Sequence, residues 1–215
     1  MFTDYAVSLQ SLVPLLTHNG QMADPQNEHA IALKVQTAKK GTLKDPGLIR
    51  KIEWMAGLYL GKDLRPIIPG PNIEAAMRDV AFKLGYNKTE VIIGFTVQDE
   101  IPIVYDGPKD LEKLFAHGDF VDSRVVAVQR ARIVRTRPIF KTWALNFTLQ
   151  VSDTFVGPDK KKEAKSGGKK DAEPDAYTSK PVGQVLLEEA GRLNGIGDFT
   201  PRYGRFEVVK FQKLS

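Results

Sequence analysis

The stretch Trp143–Ser152 restricts the possible folds more than any other part of the chain. Trp143, Leu145, Phe147, Leu149 and Val151 alternate with Ala144, Asn146, Thr148, Gln150 and Ser152. Successive side chains of a strand point to opposite sides, so this pattern specifies a strand with one buried and one wet face. That is the habit of an antiparallel sheet covered on one side. The N-terminus reads in the same way, with Tyr5, Val7 and Leu9 against Ala6, Ser8 and Gln10, and the strand is predicted to run to about Leu16.

Helical spacing is clearest after Pro71, which suits a first helical turn because its missing N–H is not needed there. Ile73, Ala76, Met77, Val80 and Leu84 follow at helical intervals and Gly85 supplies the stop. Further helices are predicted at Glu28–Lys39, Gly47–Leu60, Asp110–Ala116 and Val182–Leu193. Strands are predicted at Glu90–Gln98, Ile101–Tyr105, Arg124–Arg137, Ile139–Ser152 and Arg205–Lys213, with Pro138 between the two long central ones. Within the first of these, Arg130 and Arg132 fall on one parity and Arg135 and Arg137 on the other, which calls for a bulge or strand end between them. Residues 157–180 (KKKEAKSGGKK at their centre) hold too little apolar surface to fold alone and are expected to form a flexible loop. With insertions at 17–65 and 86–123 set aside, the order is strand, helix, strand, strand, helix, strand. An α+β fold follows, a single domain over 1–215 with the βαββαβ core of ferredoxin-like (RRM-like) proteins and large insertions.

The chain has no cysteine, which excludes disulfides, thiolate-bound metals and thiol nucleophiles. No apolar run approaches the length of a membrane span and no signal peptide opens the chain, so a soluble, cytoplasmic protein is expected, with no membrane partner. The net charge of +5 is modest but unevenly placed. From Ser123 to Ser152 there is no acidic residue, while Arg124, Arg130, Arg132, Arg135, Arg137 and Lys141 are all present. A concentrated basic stripe is an electrostatic footprint for a polyanion.

A second basic feature closes the chain. Gly195, Gly197 and Gly204 interrupt a segment that also carries Arg202, Tyr203 and Arg205, between the last helix and the last strand. Glycine admits close approach and φ > 0, and arginine pairs with phosphate through a planar fork. Such a loop suits a sugar-phosphate backbone, with Tyr203, Tyr86 and Phe199 as candidates for stacking on bases. It does not suit proton transfer. His18, His29 and His117 form no ligand motif, no metal or cofactor is expected, and Asp24 beside His18 is the only local candidate for metal-dependent ribonuclease chemistry. A non-enzymatic protein is expected.

Three segments resemble the RAMP superfamily, the repeat-associated proteins of CRISPR effector complexes, and in particular their backbone subunit. Pro66–Arg78 (PIIPGPNIEAAMR) is similar to that family's turn-and-helix, and Gly191–Val208 (GRLNGIGDFTPRYGRFEV) to its C-terminal glycine-rich loop. Leu12–Asn19 (LVPLLTHN) resembles the end of its first strand. Asn72 and Glu74 depart from the usual small or basic residues of the turn. The resemblance implies a ferredoxin-like core that binds single-stranded RNA through its backbone, stacks head-to-tail along it, and carries a protrusion that interrupts base stacking. It adds His18, Asn19, Asn72 and Arg78 to the candidate contacts. The pattern is also similar to stand-alone proteins of phages and prophages.

The resulting expectation is a non-catalytic binder of single-stranded RNA or DNA, independent of sequence and assembled as a head-to-tail helical filament. Its contacts would be Arg130, Arg132, Arg135, Arg137, Gly195, Gly197, Arg202, Tyr203, Gly204 and Arg205, with other effector-complex subunits as further partners. The alternative is an interaction protein that mimics an effector subunit and inhibits assembly. If about four to six phosphates are neutralised, log K should fall with log salt with a slope of roughly 3–4.

Overall fold

The computed structural model describes residues 1–128, 131–155 and 180–214. In chain order its elements begin with β1 (Phe2–Ser11), β2 (Leu15–Leu16), α1 (Glu28–Ala38), α2 (Pro46–Gly57), β3 (Ile67–Pro69) and α3 (Gly70–Lys83). They continue with α4 (Lys88–Gly94), β4 (Phe95–Val97), β5 (Glu100–Pro102), α5 (Leu111–Ala116), β6 (Val121–Val128) and β7 (Ala131–Phe140). The last three are β8 (Ala144–Ser152), α6 (Val182–Leu193) and β9 (Phe206–Lys213). The fold is α+β with antiparallel sheets. Arg130 and the loop expected at 157–180, apart from Lys180, lie outside the described residues.

The largest sheet has the order β4-β8-β1-β9, every neighbouring pair antiparallel. Its alternation is the one written in the sequence: Val7 lies opposite Phe147 and Leu9 opposite Leu145, all four buried. Ile73, Met77 and Val80 of α3 and Leu186, Leu187 and Ala190 of α6 join them in one core. Each fully buried aliphatic side chain there contributes roughly 1.5–3 kcal/mol of transfer free energy. The two tryptophans are also interior and both are satisfied. Trp143 donates its indole N–H to the Val13 carbonyl at 3.0 Å and Trp54 donates to Phe120 at 2.7 Å.

Four predicted elements differ. The N-terminal strand does not run to Leu16. β1 stops at Ser11, and Leu15–Leu16 pair with Phe140 and Ile139 in a separate three-stranded sheet of order β2-β7-β6. Pro14 explains the break, since it has no N–H to give a ladder and its φ is fixed. Glu90–Gln98 is a helix (α4) for most of its length, followed by only three strand residues. Asn87 caps that helix, its side chain accepting from the Thr89 N–H at 2.9 Å, and the cap outweighs the strand preference of Val91, Ile92 and Ile93.

The predicted strand Arg124–Arg137 is two strands. β6 and β7 form a hairpin whose register runs unbroken from Val121 opposite Pro138 to Val128 opposite Ala131. No bulge is needed for the change of arginine parity. Arg132 stands on one face of β7, and Arg135 and Arg137 stand on the other. Ile139 and Phe140 also belong to β7, so β8 starts only at Ala144.

Candidate nucleic-acid interface

The hairpin has a packed face and an open face. On the packed face Arg124 lies opposite Arg135 and Asp122 opposite Arg137. Arg135 pairs with Glu53 of α2 at 2.5 Å, and the other Glu53 oxygen accepts the Thr136 N–H at 2.9 Å. Arg124 donates to Asp122 at 2.8 and 2.9 Å and lies over the Tyr203 ring, 4.9 Å from its centre. The hydrogen bond that Arg124 donates to Asp122, and to a lesser extent its interaction with Tyr203, raises the Arg124 pKa above its ordinary value against the opposing effect of burial. Arg137 sits 2.7 Å from Asp198 and 4.8 Å from the centre of the Phe199 ring. The base of the hairpin is therefore docked on the glycine-rich loop. The two basic regions picked out in the sequence do meet, through Asp198, Phe199 and Tyr203. On the open face, Ser123, Val125, Ala127, Arg132 and Val134 are exposed.

The loop is built by backbone packed on backbone. Gly195 accompanies the end of α6, its N–H donating to the Ala190 carbonyl at 2.8 Å. Ile196 then donates to Gly204, Asp198 to Leu16 and Gly204 to Pro14, at 3.0, 2.9 and 2.8 Å. Gly204 has φ +72°, and a Cβ there would lie 1.7 Å from the Ile196 carbonyl oxygen. Gly197 has φ +84°, and its Cβ would lie 2.4 Å from the Leu16 carbonyl oxygen. The close approach expected of Gly195, Gly197 and Gly204 is thus taken up by the protein's own chain, and the folding of the loop accounts for them. Tyr203 is likewise buried, clustered with Leu16 and Ile139 instead of standing open to a base.

The remaining candidates divide. His18, Asn72, Gly195 and Gly197 line one cleft of about 560 Å³ between α3 and the loop. With Asp198 and Thr200 of the loop, Tyr59, Asp79, Lys83 and Asn194 complete its polar lining, and Lys83 donates to Asn194 at 2.8 Å. None of these four stood out in the sequence, because only the tertiary fold places them together. Asn19 is committed to structure: it accepts from Gln21 N–H at 3.2 Å and donates to the Leu58 carbonyl at 3.1 Å. Arg78 is bound to Glu74 at 3.3 Å, and Glu74 in turn accepts the Val97 N–H. Asp24 is exposed and accepts the Gln26 N–H. Among the described residues, no three histidines or carboxylates gather in a way that could hold a metal.

Among the described residues, six guanidinium groups thus belong to the hairpin and loop (Arg124, Arg132, Arg135, Arg137, Arg202 and Arg205), against three paired carboxylates (Asp122, Glu53 and Asp198). Arg132 and Arg202 are exposed and have no carboxylate partner among the described residues. Arg205 is half-buried, and its Nε has no hydrogen-bond partner among the described residues. Asp198 is the one acid between Gly195 and Gly204, and as such it was the only sequence sign that this loop carries its own counter-ion. No helix among the described residues is long and apolar enough to cross a membrane.

No family model matches the sequence. No curated protein matches it either. Among solved structures, the chain is similar to a chain of the cryo-EM structure of the Type III-B Cmr-beta bound to cognate target RNA. The TM-score is 0.46 and the identity 14%, over 100% of this chain and 61% of that one. The present chain spans less than two thirds of that chain's length.

Proposed function

We propose that this protein is a non-catalytic, single-stranded nucleic-acid-binding protein that grips the phosphate backbone without regard to sequence. The observation that carries this reading is the docking of the arginine-rich hairpin on the glycine-rich loop, with more guanidinium groups than carboxylates among the described residues of the two. Arg132 on the open face of the hairpin and Arg202 in the loop are the principal phosphate contacts, with Arg205 as a further cation of the loop. Arg124, Arg135 and Arg137 hold the hairpin and the loop in place and add positive potential, since their charges are largely compensated by Asp122, Glu53 and Asp198. His18 and Asn72 extend the contact surface into the adjoining cleft.

The sheet order β4-β8-β1-β9, with α3 and α6 in one core with it, supports a ferredoxin-like βαββαβ core of the RAMP type, elaborated by the segments between. Head-to-tail assembly along the strand, as a helical filament, belongs to the same reading. It is supported by the open face of the hairpin, where Val125 and Val134 lie opposite each other and are 64% and 55% exposed. Such a chain would serve in a CRISPR effector or in a related phage-borne assembly, in the cytoplasm.

Fluorescence anisotropy with labelled single-stranded RNA and DNA tests the proposal. Arg132→Ala and Arg202→Ala should each weaken binding for all sequences alike and lower the salt slope by roughly 0.7. Unchanged affinity and slope in the double variant would refute the assignment. Intact strand after incubation with magnesium or manganese is expected, and cleavage abolished by Asp24→Ala would establish an enzyme instead.

A further inference from the structure

A second cavity, of about 460 Å³, lies between α1, α2 and the hairpin, with His18 shared between it and the cleft described above. Met22, Leu33, Ala56 and Val126 give it apolar walls, and Glu53, Arg135 and Arg137 are its charged groups. A mostly apolar recess with a few fixed polar groups is the usual form of a small-ligand site, and its volume suits one nucleobase with its sugar.

The polar groups narrow the ligand further. The Glu53 side chain is only 9% exposed and is held at both oxygens, by Arg135 at 2.5 Å and by the Thr136 N–H at 2.9 Å. A carboxylate offers about four acceptor sites, so a fixed, buried acceptor with unused capacity faces this space. Arg137 lies 2.7 Å from Asp198 through Nε, but not in line for a hydrogen bond, and its buried Nη1 has no acceptor among the described residues. Arg135 stands beside Glu53 in the same lining with its side chain 41% exposed, so a ligand oxygen placed next to it meets an accessible guanidinium.

We infer that this cavity binds a guanine base. Guanine is the one common base whose edge carries two adjacent N–H donors, N1 and N2, followed by a carbonyl, O6. The donors match the Glu53 carboxylate and the carbonyl matches the arginine side. Adenine and cytosine offer a single exocyclic donor beside a ring acceptor, and uracil a single N–H between two carbonyls. The inference rests on the proposed strand binding only for its source of guanine, which could equally be a free nucleotide. The recognition chemistry is the same in both cases.

Titration of the full chain with 5′-GMP, 5′-AMP, 5′-CMP and 5′-UMP, followed by ligand-observed NMR, tests the pocket with the phosphate held constant. GMP should bind at least about tenfold tighter than the others, the discrimination of one good bidentate base contact. Inosine 5′-monophosphate, which lacks the N2 amine, should fall between. Glu53→Gln should erase the preference. Val126→Trp, which fills the recess without removing a polar partner, should abolish GMP binding and leave salt-dependent strand binding in place. A second arm compares strands with and without guanine: tighter binding of the guanine strand identifies the polymer as the source, one base contact added to a phosphate grip that is itself independent of sequence, and equal binding with GMP preference retained identifies a free nucleotide. Equal binding of the four mononucleotides, or none by a protein that still holds single strands, overturns the pocket and leaves the proposed function standing. GMP preference without any strand binding does the reverse.

Discussion

Gly204 shows how one residue can be read correctly as special and still be given the wrong reason. Its φ is positive, and the Ile196 oxygen lies 1.7 Å from the place a methyl group would occupy, so it pins the protein's own loop. Gly204→Ala should therefore cost at least about 2 kcal/mol in urea unfolding, from strain and collision together. A loss under about 0.5 kcal/mol would show that the loop is not pinned there. Arg137 makes the complementary point. Its planar group serves Asp198 and Phe199 at once, which a lysine ammonium cannot do. Arg137→Lys should destabilise the fold by about 1 kcal/mol although the charge is kept, measured in the same way. The arginines were legible in the sequence as cations. Their partners were not, because Glu53 lies 82 residues from Arg135 in the chain, and composition records charges without distances.

At the scale of elements, β1, α3, β8 and α6 were legible because each buries one regular face against the common core, so that period and burial agree, whereas β9 buries only Phe206 and changes register against β1. The misreadings fall where a local device overrides the pattern. Pro14 ends β1 early, the Asn87 cap turns a β-branched run into α4, and the pairing of Val128 with Ala131 folds the basic stretch back on itself. The helix α1 is a different case. It was predicted in the right place, yet none of its residues is buried, so little tertiary packing holds it. Its amides should exchange with deuterium faster than those of α3 and α6, which carry buried residues along their length. Equal protection in all three helices would mean that α1 is anchored by contacts outside the described residues.

For the whole molecule, the fold brings two distant stretches of sequence into one positively charged junction and neutralises part of it. That lowers the expected number of phosphate contacts. From charges alone, about four to six phosphates and a salt slope of roughly 3–4 were expected. On the proposed function, three guanidinium groups in excess of their carboxylates among the described residues give an expectation of about three contacts and a slope near 2 for a single strand. The most direct test is therefore the affinity of the full chain for a long single strand, measured across a series of salt concentrations. A slope of about −2 that falls to roughly −0.7 in the Arg132→Ala, Arg202→Ala variant is the expected result. An affinity that does not change with salt, or a slope that the two substitutions leave untouched, would contradict the account.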